Sequence, residues 1–488
     1  MNKSGDHFIK RYEVAAIAVC SLAWLLIAFN IPYMHDDWDW GLKDGIFHLV
    51  HADLNSRYMG NLFEVLMTRS VILKTLILGA GYSLIPFLSV YLHKVKDAGR
   101  GAAYLIVSIL IFSLNHEMWS ETYGWIAGAA NFILVMPFLI LWLYAVRGLY
   151  GQKCYVKIWQ KILLFLLSFA MQLFLENIAI TVSFISFLVL IHLLRRKSDN
   201  IIPAVVIFIG NLTGALICIF SGTVRELFGT GQAVEGYRRF VFGMSDPLIV
   251  KLSKSLGFFF SDCLPDVYHI WNAPAVISVI AVLTVYVLRS AKKRKALYAF
   301  ALINVLICIY LSLSLTISTR RFYAVMGIVI FAVIIIEILL TDLKDKFFVL
   351  GIWIMAPLVI SPMCILDNWG PRLFVTVFLL HIAMLSVLIN NLEVKLSASM
   401  AKIIYIGIAC VVIMRIALAV LIYAEIGSCT SRRMDQIQRA RDGEVTQLYL
   451  EAYPHEIYLY KPDPKEPERV LYFKAFYGIP DNVNIITD

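Results

Sequence analysis

The segment His35-Asp36-Asp37-Trp38-Asp39-Trp40-Gly41 sets three carboxylates within four residues. Like charges held so close repel, which raises the pKa of one of them. An acid tuned in that way can deprotonate a hydroxyl. Two of the three could instead hold a divalent cation, but the Asp37-x-Asp39 spacing is too common among sequences to decide for a metal. Trp38 and Trp40 offer flat faces for a sugar ring, although Trp is also enriched at bilayer interfaces. Asp36 and Asp37 are the expected catalytic pair. Asp37 is preferred as base because Asp39, two residues on, raises its pKa in an extended segment, and Trp38 and Asp39 are left to bind substrate.

Three further polar clusters invite the same reading. Asn55-Ser56-Arg57-Tyr58-Met59-Gly60-Asn61 lies in the same stretch. Asn115-His116-Glu117-Met118-Trp119-Ser120-Glu121 is followed by Trp125, Gly128 and Asn131, where a membrane helix would ordinarily be apolar throughout. Glu176-Asn177 is the last. Polar side chains at such positions face a protein-lined cavity or bond between helices. Arg57, Glu117, Trp119, Glu121, Asn131 and Glu176 are therefore expected to contact substrate, with the interhelical bond the better reading for Asn131 alone. Arginine forks bind phosphate oxygens in pairs. Arg225, Arg238, Arg320 and Arg372 are the expected phosphate ligands; Arg239 and Arg321 are alternates within their pairs, and one of each pair anchors to lipid head groups.

The elements that must carry these residues follow from composition. Of 488 residues, 60% are hydrophobic and 16% charged, with mean hydropathy +0.76, against roughly 45–50% and about 25% in soluble domains. That describes a multi-pass membrane protein, all α-helical. Windows of about 20 apolar residues give thirteen spans near 12–33, 69–92, 101–115, 125–146, 161–175, 177–194, 201–221, 272–289, 296–317, 322–340, 347–363, 373–391 and 403–424. Residues 161–194 are too long for one helix, and Glu176-Asn177 suggests a turn there. The net charge of +9 points to loops retained in the cytoplasm rather than to nucleic acid. Lys and Arg concentrate in 1–11, 93–100, 147–161, 195–200, 289–295, 341–346 and 392–402, which puts the N-terminus in the cytoplasm. The external parts are then two loops, 34–68 and 221–271, and a short tail, 425–488, beyond the 1–424 membrane domain. Apart from Lys74, Glu337 and Arg415 the spans are nearly free of charge, which argues against ion-coupled transport. The eight cysteines show no metal or disulfide spacing.

A first span, an outer loop opening on paired acids and many further spans with outward-facing polar groups resemble the GT-C class of membrane glycosyltransferases. The likeness is to bacterial members that decorate cell-surface polysaccharides, carried by Asp36-Asp37…Gly41, Asn55-x-Arg57-Tyr58 and Gly128-Ala129-x-Asn131. The resemblance implies transfer of a sugar from a polyprenyl-phosphate carrier to a surface glycan on the external face of the cell membrane, with Asp36 or Asp37 as base. Membrane lipids are the remaining partner; no cofactor is called for, and a divalent metal is left open. A polysaccharide polymerase or ligase, a lipid-linked-glycan flippase and a non-catalytic scaffold are the competing readings.

Overall fold

The computed structural model describes the chain apart from residues 1–2, 93–99, 152–155, 234–237, 270, 292–294, 314–319, 368–369, 393–397 and 488; the side chains of 3–11, 238, 320, 398 and 401 are also outside the description. Helix α1 (Lys3–Asn30) leads into a loop folded as three short helices, α2 (Asp36–Gly41), α3 (Lys43–His51) and α4 (Tyr58–Thr68). Ser70 accepts from the Leu73 N–H and starts α5 (Val71–Tyr91), as an N-cap serine should. After α6 (Arg100–Ile111), Asn115 caps α7 (His116–Ser120) in the same way. Helix α8 (Ile126–Gly128) passes through a π-helical turn, Ala129–Ile133, into α9 (Val135–Gly148). Gly60 of α4 packs on that turn so closely that a Cβ would collide with Asn131.

Helices α10 (Ile158–Gln172) and α11 (Glu176–Arg195) are separate, broken at 173–175, so the predicted turn at Glu176 is present. Then come α12 (Ile201–Ile219), α13 (Gly222–Thr230), a hairpin of β1 (Gln232–Ala233) and β2 (Arg238–Arg239), and α14 (Leu248–Phe258). The bundle continues with α15 (Leu264–Tyr268), α16 (Ala273–Ala291), α17 (Leu297–Leu313), α18 (Arg320–Leu340), α19 (Lys346–Ile360) and α20 (Pro371–Asn391). Helix α21 (Ala398–Arg441) runs 44 residues, about 66 Å. It passes unbroken through the expected boundary at 424; residues 427–431 are poor helix formers, but Ile426, Cys429, Ile437 and Ala440 are buried along this stretch and hold it by packing. The tail closes with α22 (Pro467–Tyr477) and a parallel pair, β3 (Gln447–Leu450) with β4 (Asn484–Thr487).

Among the described residues ten helices are long and apolar enough to cross a membrane. Three shorter apolar helices, α6, α10 and α17, fall on the remaining predicted spans. The protein is an all-α polytopic membrane protein. At its centre stand Ile126–Gly148 and α20, 89% and 94% buried over their apolar windows, whereas lipid-exposable helices such as Arg321–Leu340 bury 28%. Trp24 stacks on Phe112, Trp119 and Tyr123 beside them, with ring centroids 4.2–5.9 Å apart.

Inter-helix connections contact one another in two separate sets. In one, Thr223 Oγ1 donates to the Ala52 carbonyl (2.9 Å), the Met59 N–H to Leu173 (2.9 Å), Trp271 Nε1 to Glu117 (3.1 Å) and the Asp367 N–H to Arg239 (3.0 Å). In the other, Arg147 pairs with Asp345 at 2.8 Å, Asn200 Nδ2 donates to Leu149 (3.0 Å) and Asn390 Nδ2 to Val90 (3.2 Å).

Candidate functional site

The first set of connections gathers the acid loop. Helix α2 is short and its carboxylates have sharply different surroundings. Asp37 is fully buried; Oδ2 accepts from the Met34 N–H (2.9 Å) and Oδ1 from the Ala127 N–H (3.1 Å). Ala127 lies in the first turn of α8, where N–H groups lack intrahelical partners. Trp125, at the N-cap, supplies no side-chain cap, so Asp37 caps the helix from across the fold and meets the positive end of its dipole. Glu121 does the same for α20: Oε2 accepts from the Arg372 N–H at 3.2 Å. Both central helices thus receive a predicted site acid at their N-termini. Burial raises Glu121, with Arg372 pulling against it.

Asp36 is a third exposed and contacts His35 Nδ1 at 2.7 Å and Arg469 of α22 at 2.9 Å. Burial alone would raise its pKa; His35, Arg469 and Arg372 outweigh that and hold the carboxyl at about 2. Asp39 differs. Its Oδ1 is buried without a hydrogen-bond partner among the described residues, 3.9 Å from His48 Nε2. Burial pushes it up to about 6, with Asp36 and Asp44 adding to the rise and His48 and Arg469 opposing it. Glu64 of α4, 1% exposed, also carries an unpartnered oxygen, Oε1. Burial, followed by Asp37, Asp36 and Asp39, drives Glu64 far above the carboxylate range, against Arg57. Burial drives Asp37 upward too, with Asp36 adding; the two N–H bonds and Lys74 oppose this. Both carboxyls are thus pushed upward by burial, and backbone N–H donors resist the rise only at Asp37.

Cations fix this loop by their hydrogen bonds. Lys74 donates to the Phe29 carbonyl (3.1 Å) and to Ile31, capping the end of α1. Arg69 donates to Trp40 (3.0 Å), Leu42 (2.6 Å) and Val65 (2.7 Å), capping α2 and α4. Arg57 Nε bonds Glu176 Oε2 (3.2 Å), Ser56 bonds the other oxygen (2.9 Å), and the guanidinium lies 5.2 Å from the Phe132 ring. Arg372 lies 5.9 Å from the Trp125 ring and 6.0 Å from that of Tyr460.

The tail covers the loop. Phe473 meets Trp38 edge-on at 5.1 Å, Tyr460 stacks on Trp125 at 4.4 Å, and Phe476 fills the space that a side chain at Gly41 would need. A cavity of about 230 Å³ remains at the joint, lined by His35, Lys461, Lys465, Glu466 and Arg469 among others.

The predicted residues thus separate by surroundings. Asp36, Asp37, Asp39, Arg57, Glu176, Glu121 and Arg372 join one connected end of the bundle. Glu117 lies on its exposed rim, bonded to Trp271. Asn131 sits in the π-helical turn; its Nδ2 donates to Ala127 (2.9 Å) and its buried Oδ1 has no hydrogen-bond partner among the described residues. Trp38 and Trp119 are 0% and 3% exposed, and Trp119 Nε1 donates to Tyr423 (2.8 Å), so both indoles belong to the core. Arg225 is exposed on α13. Arg238 begins β2 and Arg320 begins α18, with both side chains outside the described residues. Sequence reasoning missed Glu64, His48, Arg69 and Arg469; the position of His48 between the clusters 35–41 and 55–61, and of Glu64 just after the second, was the available signal. Among the described residues no three His, Cys, Asp or Glu side chains converge in a way that could hold a metal ion. No family model, curated protein or solved structure matches this chain.

Proposed function

We propose that the chain is a membrane glycosyltransferase of GT-C type. It moves a sugar from a polyprenyl-phosphate carrier to a hydroxyl of a cell-surface glycan at the external face of the membrane. The observation that carries this reading is the buried carboxylate group Asp37, Asp39 and Glu64, bordered by Arg57, Arg372 and Arg469, where the outer loops meet the tail. Thirteen crossings with a cytoplasmic N-terminus put that end outside, and the two separate sets of loop contacts support the alternation. Within the acid loop the base is Asp39. Burial lifts its pKa to about 6 and one of its oxygens has no hydrogen-bond partner among the described residues, whereas Asp37 is engaged by two backbone donors and Asp36 is held ionised by its cations. Asp39 takes the proton of the acceptor hydroxyl as the acceptor oxygen bonds to the anomeric carbon. The bond from that carbon to the phosphate oxygen breaks, and its electron pair leaves on the polyprenyl phosphate. Arginine forks stabilise that anion, with Arg372, which adjoins the acid loop, as the first candidate and Arg225, Arg238 and Arg320 retained as further ligands.

The test is the surface-glycan composition of a strain lacking the chain, complemented with wild type or Asp39→Asn. Loss of one side-chain sugar, restored only by the wild type, is the expected result. Loss of long chains would assign the protein to polymerisation instead, and an unchanged glycan would reject the proposal.

A further inference from the structure

Beside the acid loop lies a chain of titratable groups to which the transfer scheme gives no part. Asp53, at the end of α3, holds both carboxylate oxygens on His48 Nδ1, at 2.9 and 3.0 Å. That double contact fixes the imidazole so that Nδ1 is the proton-bearing nitrogen and Nε2 points the other way. Nε2 faces Asp39 Oδ1 at 3.9 Å, the same oxygen that has no hydrogen-bond partner. Exposure increases along the line, from 10% for the Asp39 side chain to 19% for His48 and 42% for Asp53. Trp40 and Phe47 pack edge-on against the imidazole at 5.9 and 6.1 Å and close its sides.

We infer that Asp39, His48 and Asp53 form a proton relay that carries the acceptor proton from the buried base to solvent. The inference rests on the glycosyl-transfer reading for the proton's source. A base that is buried must discharge its proton before the next turnover, and the rest of its surroundings offer no better outlet. Asp36 is committed to Arg469 and His35, Arg469 is a permanent cation, and among the described residues no hydrogen bond or ion pair joins the Asp39 carboxyl to Asp44, Glu64 or Tyr472. Closing the 3.9 Å gap by about an ångström makes a hydrogen bond, and the gap is too short for an intervening water. The proton passes from Asp39 to Nε2, giving an imidazolium that Asp53 stabilises through Nδ1–H. Water then takes the proton and neutral His48 is restored. His48 is a positioning and relay residue rather than a catalytic one, because it meets the reaction only through Asp39.

Two measurements on the full-length protein in nanodiscs and native membranes decide the point. The first is an infrared titration of the protonated-carboxyl band that Asp39→Asn removes. His48→Gln should move its midpoint upward by about half a pH unit or more, because the imidazolium that forms beside the ionised carboxylate, and favours it, can no longer form. Asp53→Asn should move it in the same direction by less. An unmoved midpoint overturns the relay. The second is transfer to endogenous acceptor in membranes of a deletion strain supplied with each variant. His48→Gln should lose about tenfold or more in rate, recover with added imidazole and keep wild-type protein yield; an undiminished rate overturns the relay. Asp53→Asn retains the imidazole and serves if His48→Gln does not fold. If wild-type membranes show no transfer, the glycosyltransferase reading fails, while the midpoint shift still decides whether the three groups are coupled.

Discussion

Asp39→Asn should make the protein more stable at neutral pH and far less active. The carboxyl rises from an ordinary value near 3.8 to about 6 in the fold. A raised carboxyl pKa means that the native state holds its proton more tightly than the unfolded chain. Its stabilising contribution is complete below about 4 and disappears as the pH climbs through about 6. Each unit is worth about 1.36 kcal/mol, so keeping Asp39 ionised at pH 7.5 costs up to about 3 kcal/mol. The side chain is only 10% exposed, so solvent screening reduces this figure little. Asparagine has nothing to ionise, and the Asp39 backbone carbonyl still accepts from the Leu42 N–H at 2.9 Å. Denaturant unfolding in nanodiscs should therefore separate the variant from wild type at pH 7.5 and bring the two together near pH 4. Losing a general base should meanwhile reduce transfer by about 10²–10⁴. A variant no more stable than wild type at pH 7.5, or one that keeps its turnover, would show that Asp39 is an ordinary surface-coupled acid.

Asp37→Ala should lower stability by about 2–5 kcal/mol, because two buried N–H donors lose their acceptor; denaturant midpoints measure this, and a surface-sized change contradicts the capping role. Gly60→Ala forces a methyl into Asn131 and should cost about 1–3 kcal/mol, detectable as reduced yield and a lower Tm. Arg372→Lys keeps the charge but loses the fork; its transfer rate should fall between those of wild type and Arg372→Ala, and equal rates for all three would move the phosphate site elsewhere. A cysteine replacing Lys465 should react with an impermeant thiol reagent applied from outside, and one replacing Lys344 should not; the reverse pattern rejects the proposed orientation.

Much of the bundle was readable because its signals are local. Apolar windows mark the helices, and a carboxylate inside an overlong run marks the break at Leu173–Leu175. The acid loop was equally visible as a candidate, but the different surroundings of its three carboxylates were not. Asp36, Asp37 and Asp39 look interchangeable in a row; what separates them comes from distant parts of the chain. The Ala127 N–H engages Asp37, Arg469 clamps Asp36, and His48 approaches Asp39. Helix α22, more than 400 residues along, covers α2 through Phe473 and Phe476 and buries acids that an outer loop would otherwise expose. The surroundings of Trp119 were hidden for the same reason: an indole that meets substrate and a core indole bonded to Tyr423 share one local pattern. The π-helical turn has no composition of its own, and the close fit of Gly60 against its Asn131 joins parts of the chain that local pattern does not link.

The most direct test is a reconstituted transfer reaction. Purified protein in nanodiscs is supplied with polyprenyl-phosphate sugars extracted from a strain lacking the chain, together with that strain's surface glycan. Free polyprenyl phosphate and glycosylated acceptor are then quantified in parallel. The proposed chemistry predicts that the two products appear in equal amounts with wild type, and that both fall by about 10²–10⁴ with Asp39→Asn. A lipid-linked sugar that stays intact with active, folded wild-type protein would contradict it.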